Sequence, residues 1–139
     1  MFGKDKKSPT VNSAPTYIGR GMRIEGKIYG MRPIWIDGEV QKINPKDKSL
    51  KIPHMGWNTL NIESEHPVLK NIHNGDHVYF VHSFHMMIKN QEQRLAYTDY
   101  GADITAVVGK ENMVGLQFHP EKSGQIGLKM IENFLSWRP

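Results

Sequence analysis

Residues 113–139 read MVGLQFHPEKSGQIGLKMIENFLSWRP: an apolar stretch, a polar turn and an amphipathic stretch, in that order. Met113–Phe118 has the apolar texture of a strand. After Ser123 the apolar residues Ile126, Met130, Ile131, Phe134 and Leu135 fall at helical spacing, with Lys129, Glu132 and Asn133 taking the other side. Ser123 is the expected N-cap of that helix. A strand handed over to a helix through HPEKS is where an α/β protein tends to place its chemistry.

His119 and Glu121 are the residues in that turn with chemistry to offer. In an extended segment, residues two apart point to the same side, so both are expected to face one cleft. A carboxylate beside an imidazole fixes its tautomer and stabilises the imidazolium, which makes a useful general base for a Ser or Cys nucleophile. Taken alone, an H-x-E pair at a strand end is more often structural or merely exposed.

Working back from this turn, RLAYTDYG (94–101) and ITAVVGK (104–110) read as two strands, with Lys110-Glu111-Asn112 as the turn into residue 113. HVYFVHSFHMMI (77–88) is the most apolar strand candidate and follows a turn signal at Asn74-Gly75-Asp76. LKIPHMGWNTLNI (50–62) reads as a strand interrupted by Pro53 and Gly56, after a polar loop, NPKDKS, at 44–49. Between Tyr17 and Ile43 lie short β-like pieces punctuated by glycine, YIGRGMRIEGKIYG and IWIDGEVQKI. Such units form hairpins or a fragment of a β-solenoid, and these are too few to bury a core alone. Residues 1–16 read as a flexible basic arm. The coarse order is many strands and then one closing helix.

Composition bounds the function classes. At 139 residues, with 38% hydrophobic and 23% charged residues, the chain suits one globular domain with a real core. No window approaches the roughly 18 apolar residues of a membrane helix, and the N-terminus lacks the apolar stretch of a secretory signal, so a cytoplasmic location and no membrane partner are expected. Cysteine is absent, which excludes disulfides, thiolate metal sites and a cysteine nucleophile. Residues 1–33 hold Lys4, Lys6, Lys7, Arg20, Arg23, Lys27 and Arg32 against Asp5 and Glu25, net +5 of the chain's +4, so the remainder is −1. With no aromatic interleaving and no binding motif, this basic segment reads as solvated, and no nucleic-acid partner is expected. His73, His77, His82 and His85 cluster in sequence, but without Cys or an evident carboxylate no metal is expected. No GxGxxG or GK[ST] loop is present, and no cofactor is expected.

Three motifs occur together in one order: PHMGWN (53–58), YFVHSF (79–84) and GLQFHPEKS (115–123), the last followed by G-L-K-M-I-x-N-F-L-x-W. This set closely resembles the glutaminase subunits of imidazole glycerol phosphate synthase, class I glutamine amidotransferases of histidine biosynthesis, from about Ile34 to Pro139. The resemblance implies an incomplete α/β, flavodoxin-like amidotransferase fold: residues 34–139 as its C-terminal part, after a glycine-punctuated β leader at 17–33. It implies that His119 is the triad base and Glu121 the acid that orients it. Ser83 and Phe84 match the strand segment flanking bound glutamine, with Phe84 standing where tyrosine is common. Tyr79 and Lys122 match residues near the passage through which ammonia leaves. His54, Met55, Gly56, Trp57 and Asn58 match a loop at the interface with the barrel-shaped synthase subunit, the expected partner.

Members of that family carry a first half with a glycine-rich oxyanion loop and a G-x-C-x-G-x-Q nucleophile elbow, and neither is found here. A thiolate forms a glutamyl thioester and the oxyanion loop stabilises the tetrahedral state, so their loss removes the reaction. The chain alone is expected to be inactive. Residues 1–33, MFGKDKKSP followed by IGRGMRIEGKIYG, weakly resemble the start of a bactofilin, a β-solenoid cytoskeletal protein. Three readings stand at this point: a member of the glutaminase family, a non-catalytic fragment that docks a synthase, and a self-assembling bactofilin-like element. Strands left without their usual neighbours also favour self-association.

Overall fold

The computed structural model describes the backbone of residues 16–18 and 34–36 and the whole of residues 40–139. The arm at 1–15 and the glycine-punctuated stretch at 19–33 lie outside the described residues. β1 (Thr16–Ile18) and β2 (Ile34–Ile36) pair in parallel, Thr16 beside Ile34. The strands that follow are β3 (Val40–Lys42), β4 (His54–Thr59), β5 (Asn61–Ile62), β6 (His77–His82) and β7 (Phe84–Met86). After them come β8 (Arg94–Asp99), β9 (Asp103–Lys110), β10 (Met113–Leu116) and the helix α1 (Gly124–Ser136). From β3 onward every pairing is antiparallel: a four-stranded sheet in the order β10-β9-β8-β5, and two ribbons, β4–β6 and β3–β7.

The turn residues act where their chemistry requires. β9 and β10 are joined by Glu111-Asn112, with Lys110 opposite Met113, and Glu111 takes the left-handed conformation (φ 53°) that a two-residue hairpin needs. Gly75, at φ 90°, supports the turn into β6. Three expected strands are shorter than their sequences suggest: the run 50–62 starts only at His54 and breaks at Leu60, while Gly56, expected to interrupt it, lies inside β4. The run 77–88 breaks at Ser83, whose carbonyl accepts from the Ile43 N–H at 2.9 Å, so β6 and β7 pair with different strands. β10 ends at Leu116: Gln117 N–H still reaches the Ala106 carbonyl of β9, but His119 N–H donates to the Tyr79 carbonyl of β6 at 2.9 Å. The chain there changes partners, and HPEKS is the crossing.

The core gathers Leu60, Val78, Phe80, Ala106, Val107, Phe118 and Met130, all nearly or fully inaccessible. α1 closes it, but on a face that differs from the expected one. Its buried residues are Gly127, Met130 and Asn133, while Phe134 and Leu135 are exposed. Asn133 is inside because its amide donates to the carbonyls of Val68 (3.1 Å) and Lys70 (2.7 Å), which end the 3₁₀ turn Pro67–Leu69. Gly127 is inside because a Cβ there would overlap the Pro120 carbonyl, so only glycine lets the helix approach the turn this closely. The apolar row Ile131–Phe134 instead lines, with Val114 and Leu116, an open recess of about 220 Å³ beside β10, the edge strand of its sheet among the described residues.

Asn133→Ala should therefore cost about 1–3 kcal/mol, because two backbone carbonyls lose their donor while little apolar volume is removed. Chemical denaturation of the variant beside the unaltered chain measures it.

Candidate catalytic and docking site

Pro120–Lys122 forms a single 3₁₀ turn rather than the extended segment expected, and this turn brings the pair together. His119 Nδ1 lies 2.8 Å from Glu121 Oε1. A carboxylate only accepts, so Nδ1 carries the proton and Nε2 holds the lone pair. Nε2 has no hydrogen-bond partner among the described residues. The hydrogen bond from His119 is the main cause that lowers the Glu121 pKa, followed by a backbone hydrogen bond. Both side chains are open to solvent, 39% and 57% exposed, so among the described residues the pair borders no enclosed cleft. Pro120 lines the apolar recess beside β10.

Register, invisible in the sequence, unites the three motifs. β4 runs beside β6 with Trp57 opposite Tyr79 and His54 opposite His82. The Trp57 and Tyr79 rings meet edge to face, centroids 5.8 Å apart. Tyr79 in turn holds HPEKS through its backbone: its carbonyl accepts from His119 N–H, and its N–H donates to Ser123 Oγ at 2.9 Å. Met55 and Trp57 project outward, 61% and 57% exposed, and Lys122 is exposed on the adjoining turn. Of the other residues matched to the docking loop, His54 is buried and Gly56 and Asn58 are half-buried. Ser83 and Phe84 follow β6, and their contacts run to β3 and His82 rather than to the His119–Glu121 pair. His73 and His77 sit in the open near Gly75 while His82 and His85 are half-buried; no three metal-ligating side chains gather among the described residues.

Ser123 was legible only as a helix cap, and its role differs. It occupies the N-cap position, but its hydroxyl makes no cap bond. Instead Oγ donates to the His119 carbonyl at 2.6 Å while accepting from Tyr79 N–H, and the residue is 1% exposed. Ser123→Ala leaves the part-buried Tyr79 N–H without its acceptor, so a loss of about 1–3 kcal/mol is expected, a larger loss than an exposed serine would show. Denaturant titration checks it, and the His119 ring NMR signals should broaden or shift as its backbone anchor is lost.

Residues 18–137 match the glutamine amidotransferase class-I family. The chain is 59% identical over 105 residues to the imidazole glycerol phosphate synthase subunit HisH of Cereibacter sphaeroides, covering 76% of this chain and 50% of that protein. The Ruegeria pomeroyi subunit of the same name gives the same identity and coverage. That of Rhodospirillum rubrum is 52% identical over 118 residues, covering 83% of this chain and 55% of the relative. The chain thus spans about half the length of the curated relatives it matches. A strand-rich body closed by a C-terminal helix is consistent with part of a flavodoxin-like domain. The matched span takes in most of the chain and all of the site, and on that ground the chain belongs to the class-I glutamine amidotransferase family.

Proposed function

We propose that this chain carries the His–Glu and partner-docking portion of a glutaminase that supplies ammonia to an imidazole glycerol phosphate synthase in histidine biosynthesis, and that alone it does not hydrolyse glutamine. The observation that carries this reading is the 2.8 Å contact of His119 Nδ1 with Glu121 Oε1. It leaves Nε2 as the basic atom, the arrangement a thiol nucleophile needs for its proton to be taken. The chain has no cysteine, so His119 has only water to activate, and a base alone contributes far less than a base, nucleophile and oxyanion hole together. A cytoplasmic location fits this chemistry.

Docking of the synthase barrel falls to the face formed by Met55, Trp57, Tyr79 and Lys122, with Trp57 as its exposed aromatic anchor. Glutamate release is to be measured for the chain alone and with the synthase subunit added, beside a binding titration. The expected result is no hydrolysis above background, with saturable binding that weakens on Trp57→Ala by about tenfold or more. Hydrolysis that resists a cysteine-directed inhibitor overturns the inactive assignment, and no detectable binding overturns the docking one.

The recess lined by Val114, Leu116, Ile131 and Phe134 lies along β10, which has no strand partner on its outer side among the described residues. Self-association through this face is the expected solution behaviour. Light scattering should give a mass above one chain that falls with dilution and with Phe134→Lys. A monodisperse monomer with a cooperative melt contradicts it. The parallel β1–β2 pair, each residue facing one 18 positions later, favours a second reading of the N-terminal part as a bactofilin-like solenoid coil. Under that reading, association persists in Phe134→Lys.

A further inference from the structure

His54 and His82 face each other across the β4–β6 ribbon, His54 Nδ1 2.9 Å from His82 Nε2. The outer nitrogen of each ring is engaged too. His82 Nδ1 lies 2.9 Å from the Phe84 carbonyl, and His54 Nε2 lies 3.3 Å from Asn58 Nδ2. A carbonyl only accepts, so His82 carries its proton on Nδ1, and its Nε2 is an acceptor. His54 must then donate from Nδ1, which leaves its Nε2 to accept from Asn58. The Asn58 amide is fixed in that sense: Nδ2 also donates to the Asp99 carbonyl at 2.8 Å, and Oδ1 accepts from Thr59 N–H at 2.8 Å. The donors run one way, Asn58 to His54 to His82 to Phe84, and both rings are neutral.

Such a chain has no place for another proton. Protonating His82 sets its Nε2–H against the Nδ1–H of His54, and protonating His54 sets its Nε2–H against the Asn58 amide. The surroundings do not compensate. His54 is 2% exposed and stacked between Phe80 (4.7 Å) and Tyr100 (3.9 Å). The titratable groups facing the pair are Tyr100, whose hydroxyl donates to the Lys51 carbonyl, and His85, itself held below its usual range by burial and by His82. The nearby Asp99 carboxylate is turned to the Gly101 N–H.

We propose that the His54–His82 pair is a pH-sensitive latch, holding the β4–β6 ribbon and, through Tyr79, the His119–Glu121 turn only while both imidazoles are neutral. Burial, and then the neighbouring His82, push the His54 pKa down to about 4. Burial lowers that of His82 as well. A histidine released from the fold takes up a proton near its ordinary value of about 6.5, so the latch contributes fully above that pH. Its contribution is lost as pH falls from about 6.5 towards 4.

Long-range ¹H–¹⁵N NMR of the full chain between pH 7.5 and 4 tests this, with amide exchange along β4 and β6 followed in parallel. Both rings should show the Nδ1–H form at neutral pH, stay neutral through pH 6, and protonate together with loss of amide protection. Finding either ring in the Nε2–H form at neutral pH overturns the latch. So does a ring that protonates near 6.5 while the ribbon stays protected. His54→Phe keeps the stacking and removes the titrating group, so the acid midpoint of ribbon opening should fall by roughly half a pH unit or more. An unchanged midpoint in a folded variant also overturns it.

Discussion

The backbone of Tyr79 joins the strands to the HPEKS turn. Its N–H and carbonyl both leave the β4–β6 ladder's outer side and meet HPEKS, one through Ser123 Oγ and the other through His119 N–H. Buried backbone groups without partners are costly, so the two segments are held together by what each would lose if parted. Ser123 makes the junction economical, one hydroxyl accepting from Tyr79 and donating to the His119 carbonyl. His119 is anchored through its own backbone, its N–H on Tyr79 and its carbonyl on Ser123, while its ring stays partly open to solvent.

From this junction the constraints spread in two directions. Along β6 they reach Trp57 on one face and His82 at the strand's end, because Trp57 and His54 are fixed opposite Tyr79 and His82 by the ladder. Across the turn they reach α1, whose Gly127 sits against the Pro120 carbonyl and whose Asn133 caps the Pro67–Leu69 turn. The helix thereby trades part of its apolar face for two specific polar anchors. Ile131 and Phe134 are left to border the recess rather than enter the core.

Much of this was legible in the sequence where chemistry is local. The Glu111-Asn112 hairpin, the turn at Gly75 and the strands on either side of them follow from turn residues and apolar runs. The His119–Glu121 pairing was legible too, although it is made by a 3₁₀ turn and not by an extended segment. What was hidden depends on contacts between distant residues. Asn133 looks solvent-facing by periodicity, yet two carbonyls more than sixty residues away draw it inside. Ser123 looks like a cap until Tyr79 is seen beside it. The break at Ser83 follows from the Ile43 N–H, which no local pattern announces. The His54–His82 relay needs the strand register before either ring has a partner.

The exposure of the His–Glu pair sets how strongly its two members act on each other. At the surface, water screens the carboxylate from the imidazole, and such pairs contribute little to order or to reactivity. Enclosure strengthens the same contact and fixes the direction of the Nε2 lone pair. The recess against Pro120 is apolar and lies along β10, an edge strand of its sheet among the described residues. A contact that covers Phe134 and Leu116 buries apolar surface that reaches Pro120, the residue between His119 and Glu121.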